Sequence, residues 1–203
     1  MDLYPRHLLF AVVLLSFAVS PAQAEAWRLV KDEDGIQVYL HKVAGSGYQA
    51  YRGVATLNTD VQTLLKLQDD VDASCAWIHS CRQQRLVSSD HEYSWVYSRF
   101  NAPWPVAPRD SVVRVATERG ADGSVTRLLH GAADHLPEQK GFIRVSKLEG
   151  FWRFTPKGAG QVEVVYQVHT EPGGSVPSWL ANSFVVDAPY ETLSALRERA
   201  EKP

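Results

Sequence analysis

The 203-residue chain has little cysteine, little net charge and no long apolar run, and each shortage excludes something. Lys and Arg number 21 against 23 Asp and Glu, so no concentrated positive field exists to neutralise a phosphate backbone. That argues against a nucleic-acid partner. The longest apolar run, residues 8–19, would span roughly 18 Å as a helix, well short of the ~30 Å hydrocarbon core of a bilayer. No Gly-x-Ser-x-Gly elbow, His-Glu-x-x-His pair, P-loop or dinucleotide glycine pattern occurs, so the commonest motif-borne chemistries are missing. Repeats, low-complexity tracts and dividing linkers are lacking as well. With 45% hydrophobic residues, what is left is one domain with a full-sized core.

Residues 1–24 read as a cleaved export signal, and residues 25–203 as the domain. Arg6 and His7 supply the charged start, residues 8–19 the short apolar stretch, and Ala22-Gln23-Ala24 the small-residue site, with cleavage after Ala24. An uncleaved anchor helix is the alternative, and the short run disfavours it. No cysteine follows the run, which argues against a lipoprotein anchor. Export to the periplasm places Cys75 and Cys81 in an oxidising compartment, where a disulfide is favoured over two buried thiols. No second Cys or His cluster lies near them in sequence, so no metal site is expected. Positions six apart in a straight helix lie about 9 Å apart along its axis, so a bridge requires the chain to turn between Ala76 and Ser80.

The mature chain reads as strands first and a helix last. Residues 26–31 and 36–43 flank an Asp34-Gly35 hairpin signal. The acidic residues around that turn lack the remaining ligands of a calcium loop, so it reads as a solvated turn. Residues 48–57 form a third strand, and Asn58 or Thr59 can cap a helix running to about Asp70. Strand pairs follow at 83–88 and 91–100, at 111–118 and 124–130, and at 144–155 and 161–170, the last pair turning at Lys157-Gly158. From about Val176 a helix runs nearly to the C-terminus, with Leu180, Phe184, Ala188, Thr192 and Leu196 on one stripe and a kink expected at Pro189.

Face patterns point to an interior. Tyr93, Trp95, Tyr97 and Arg99 share one face of their strand, as do Leu148, Trp152 and Phe154, and Val162, Val164, Tyr166 and Val168. An antiparallel sheet curled around one interior follows. A filled core is the alternative, but aromatics with polar tips and an inward Arg are costly to bury dry, which favours a lumen. His169 falls on the wet face. His91, His130 and His135 form no recognisable catalytic set with it.

A proline-stiffened loop, Asn101-Ala102-Pro103-Trp104-Pro105-Val106-Ala107-Pro108, cannot join a ladder, yet it carries apolar side chains like a lid. With Arg109-Asp110 it resembles the loop-to-strand motif of START domains, the lipid-transfer modules related to the steroidogenic acute regulatory protein. Cys75-Ala76-Trp77-Ile78-His79-Ser80-Cys81, Gly150-Phe151-Trp152-Arg153-Phe154-Thr155-Pro156 and Glu171-Pro172-Gly173-Gly174-Ser175-Val176-Pro177 resemble further family segments in the same order. The resemblance implies an α+β helix-grip fold: a curved antiparallel sheet around a long C-terminal helix, enclosing a lipid tunnel. Trp95, Tyr97, Arg99, Trp152, Phe154, Val164, Tyr166, Phe184, Val185 and Ala188 would line it. Trp104 and Val106 would form the lid, and Arg109 and Asp110 would anchor the loop.

The expected function is reversible sequestration or transfer of one lipid or other apolar small molecule by a monomer. No catalytic residue, cofactor or metal is expected, and membrane contact would be at most transient. The rival readings are a helix-grip enzyme of cyclase or hydrolase type acting on a hydrophobic substrate, and an accessory subunit of an envelope complex.

Overall fold

A computed structural model describes residues 26–102 and 104–202, and the expected export signal lies outside the described residues. Strand β1 (Arg28–Glu33) pairs with β2 (Ile36–Lys42) across Asp34-Gly35, whose φ angles are 51° and 69°. Glycine adopts that left-handed conformation freely and aspartate tolerates it, so this dipeptide sets the register of the hairpin. Strand β3 (Gln49–Leu57) runs antiparallel to β2 and leads to helix α1 (Val61–Asp69). The cap is Asp60, whose carboxylate accepts from the Thr63 amide at 2.9 Å, rather than Asn58 or Thr59. Those two are drawn to the far end of the chain instead: Thr59 donates to the Ala200 carbonyl at 3.1 Å, and the Asn58 amide donates to Glu201 at 2.7 Å.

A 3-10 turn at Ser74–Ala76 carries the chain into β4 (Cys81–Ser89), and a disulfide joins Cys75 to Cys81. There follow β5 (Tyr93–Phe100), β6 (Arg109–Arg119), β7 (Val125–Gly131), the short β8 (Ile143–Arg144), β9 (Lys147–Gly158) and β10 (Gln161–Glu171). The last hairpin turns at Ala159-Gly160, not at Lys157-Gly158, because β9 stays paired as far as Gly158. The sheet order is β1-β2-β3-β10-β9-β7-β6-β5-β4, with β8 lying parallel beside β6.

The C-terminal helix is two helices, α2 (Ser178–Phe184) and α3 (Asp187–Ala200), separated at Val185-Val186. Pro189 does not kink a continuous helix. It stands in the first turn of α3, where an amide has no intrahelical partner to lose. Helix α3 lies against β2 and β3. A Cβ at Gly53 would come within 2.6 Å of Leu193 Cδ1 and 3.1 Å of Pro189 Cβ, so the helix rests on bare backbone there. Leu193 and Leu196 are wholly buried with Ile36, Leu57, Phe154 and Val164. The result is the expected α+β arrangement, a curved and largely antiparallel sheet with a helix across its inner face.

Candidate functional site

Helix α3 fills only the β2–β3 side of the interior. On the other side the inner faces of β5 and β6 carry small groups, Ser94, Val96 and Ser98 facing Ser111, Val113 and Val115, which leave space. The space is a cavity of about 290 Å³. Its far wall is the end of α1 and the disulfide segment, through Gln68, Asp69, Ser74, Trp77 and Ile78, and its base is Trp152, Tyr166 and Val168. Tyr166 stacks on Trp152 with ring centroids 3.8 Å apart, and Trp77 meets Trp152 edge-on at 5.9 Å. Tyr51 donates to the Tyr166 hydroxyl at 2.9 Å, and burial holds both phenols above the ordinary tyrosine range, hence neutral.

The polar groups of the cavity fall into two sets. In one, the Ser74 hydroxyl meets the Gln84 amide, which donates in turn to Ser98 Oγ at 2.8 Å. In the other, Arg127 Nη2 donates to Asp69 Oδ1 at 2.6 Å, while Arg127 Nε and Gln68 Oε1 are buried without a partner. No histidine borders the cavity. His130 pairs with Glu149 at 2.7 Å and His79 with Glu191 at 2.6 Å, both away from it. Among the described residues no group of three His, Cys, Asp or Glu side chains could hold a metal ion.

Several expected lining residues lie elsewhere. Trp152 and Tyr166 border the cavity, whereas Phe154 and Val164 share their face but sit deeper, in the core under α3. Trp95, Tyr97 and Arg99 occupy the opposite face of β5, which corrects the inward orientation read from alternation. That face is also covered, by residues 132–145. Trp95 stacks on His135 at 4.8 Å, the Arg99 guanidinium lies 4.8 Å from the Phe142 ring centre, and Tyr97 donates to Asp110 at 3.0 Å. Arg99 itself donates to the Tyr97 hydroxyl at 2.9 Å.

Phe184, Val185 and Ala188 do not border the cavity either. The helix break lets α2 dock on the β2–β3 connection, where Asn182 accepts from the Gln49 amide and donates to the Gly47 carbonyl, each at 3.0 Å. Trp104 is 93% exposed and Val106 half-buried, and the residue at the loop base that reaches the cavity is Phe100. Arg109 donates to the Ala107, Pro172 and Gly173 carbonyls, tying the proline loop to the segment before α2. Asp110 turns the other way, to Arg144. His169 is not wet: it is buried beside Ser46 Oγ at 3.3 Å, and burial lowers its pKa.

The reading of the sequence missed the cavity face of β5 and the Gln68, Asp69 and Arg127 group. The repeated small residues Ser94 and Ser98 were the available signal for the first. The second has no local signal, since Asp69 and Arg127 lie 58 residues apart.

A curved sheet gripping a helix over one half of its inner face, with a largely apolar cavity under the other, defines a helix-grip ligand-binding domain. The START domain model matches residues 15–202, and the chain belongs to the START domain family. An uncharacterized protein of Pseudomonas aeruginosa is 56% identical over 181 residues, 89% of this chain and 90% of that one. The crystal structure of the STAR-related lipid transfer protein from Xanthomonas axonopodis is 37% identical with a TM-score of 0.81, over 87% of this chain and 99% of its own. The phosphatidylcholine transfer protein of Rattus norvegicus is 26% identical over 161 residues, 77% of this chain and 75% of its own. These relatives support lipid binding or transfer as the general class of function.

Proposed function

We propose that the protein is an exported carrier that reversibly sequesters one apolar ligand in this cavity and releases it unchanged. The observation that carries this reading is the 290 Å³ space between the small side chains of β5 and β6 and the Trp152–Tyr166 base. Each buried methylene contributes roughly 0.8 kcal/mol, so a handful of carbons gives useful affinity without chemistry. Trp152 and Tyr166 contact the ligand directly, and Phe154 and Val164 back them.

Admission of ligand belongs to the loop at 101–108 and to α2, which move together because Arg109 bonds to both the loop and the segment before α2. In this reading Trp104 and Val106, with Phe184 and Val185, swing aside as the lid. The exposed rings of Trp104, Trp179 and Phe184 serve for transient contact with a membrane surface, where amphipathic aromatics are favoured. Secretion to the periplasm is supported by the Cys75–Cys81 disulfide. No helix among the described residues is long and apolar enough to cross a membrane.

Native mass spectrometry of protein purified from its host, with binding assays using fluorescent fatty acids, phospholipids and sterols, tests the proposal. A co-purifying lipid or saturable one-to-one binding is expected. Absence of both overturns the carrier reading.

A further inference from the structure

Two facts about the cavity limit what it takes, given the carrier reading on which this inference rests. The first is size. Counting a methylene as about one water molecule in volume, roughly 30 Å³, the 290 Å³ available holds about ten non-hydrogen atoms. A two-chain phospholipid is several times too large.

The second is the pair of unsatisfied atoms. Arg127 Nε is a buried donor with no acceptor, and Gln68 Oε1 is a buried acceptor with no donor. Both belong to residues bordering the same cavity. Gln68 precedes Asp69, and Asp69 holds Arg127 at 2.6 Å, so the two atoms stand at one end of the space. Groups left this way cost free energy until something fills both roles.

A hydroxyl fills both, accepting from one and donating to the other. An ether can only accept. A carboxylate also only accepts, and it would meet Asp69, whose charge already balances Arg127. We infer that the Gln68–Arg127 end of the cavity recognises the neutral hydroxyl of a compact, single-chain or single-ring amphiphile. The hydroxyl lies under the C-terminal end of α1, and the apolar body runs over Val96 and Val113 toward Trp152.

The test compares n-octanol, octyl methyl ether and octanoate on the wild-type protein, read by the fluorescence of Trp77 and Trp152 and by native mass spectrometry. Octanol is expected to bind about tenfold tighter than either of the others, the worth of one satisfied buried pair. Gln68→Met is expected to erase the preference for octanol over the ether while leaving ether binding within about twofold. Arg127→Met makes the same comparison from the donor side, and thermal unfolding of each variant verifies the fold. Equal binding of all three by the wild type overturns the hydroxyl site but leaves the carrier intact. Tightest binding by octanoate overturns it in favour of an anion on Arg127. Binding of none overturns the carrier reading itself.

Discussion

Arg144 grips Asp110 with two hydrogen bonds, Nε to Oδ1 at 2.9 Å and Nη2 to Oδ2 at 3.1 Å, with side chains only 6% and 1% exposed. The guanidinium also donates to the Leu136 and Pro137 carbonyls, at 2.9 and 3.1 Å, so the pair fastens residues 132–145 over the outer face of β5 and β6. Its charges are satisfied together, and removing one strands the other in a dry site. Asp110→Ala is expected to destabilise the protein by about 3–5 kcal/mol, measured by urea unfolding. A loss below about 1 kcal/mol would mean that packing alone holds that face.

Helix α3 depends on the absence of a side chain at Gly53. Gly53→Val would drive a branched side chain into Leu193 and Pro189, both fully packed. The expected cost is about 1–3 kcal/mol, seen as a lower thermal midpoint. An unchanged midpoint would show that α3 can lift off the sheet freely.

The disulfide closes a short loop, so its benefit through the unfolded chain is small. Replacing Cys75 and Cys81 together by serine should cost about 2 kcal/mol in urea unfolding. The larger effect is expected on ligand binding, since Trp77 and Ile78 inside that loop border the cavity.

His169 gives the fold an acid sensitivity with a definite sign. Burial holds its folded pKa below the unfolded value of 6.5, so the unfolded chain takes up the proton first. The stability this neutral group contributes is complete above that value and is lost as pH falls through the folded pKa. Urea midpoints measured from neutral to mildly acidic pH should therefore decline, and decline less in His169→Gln. Identical slopes for the two proteins would remove His169 as the cause.

Filling the cavity tests its use without touching the polar end. Val96→Trp places a large ring among the small groups of β5 and β6, and is expected to abolish ligand retention in native mass spectrometry. Strain from the added volume should stay within about 1–3 kcal/mol. Retention at the wild-type level would place the ligand somewhere else.

How far the sequence was legible depended on whether one or both faces of a strand are covered. In β9 and β10 the outward residues include Lys147, Glu149, Arg153 and Glu163, so alternation assigned the inner face correctly. In β5 both faces are covered, and the larger aromatics Trp95 and Tyr97 lie on the face away from the cavity. What covers them is an excursion with little regular structure, held by a contact between residues 34 positions apart, which no local pattern encodes. The hairpin at Asp34-Gly35 was legible because its turn chemistry is local. The Gln68–Arg127 end of the cavity was not, because a glutamine at a helix end and an arginine in a strand each read as ordinary surface residues.

The break at Val185-Val186 divides two duties between neighbouring helices. All the buried residues of the C-terminal pair, Pro189, Thr192, Leu193, Leu196 and Ala200, belong to α3, and none belongs to α2. Helix α2 can therefore detach and return while the core keeps every contact that α3 makes with it. A global unfolding curve monitors α3 and is blind to its neighbour. A substitution that unfastens α2 would pass every stability assay as wild type and show its damage only in the rate at which ligand enters or leaves.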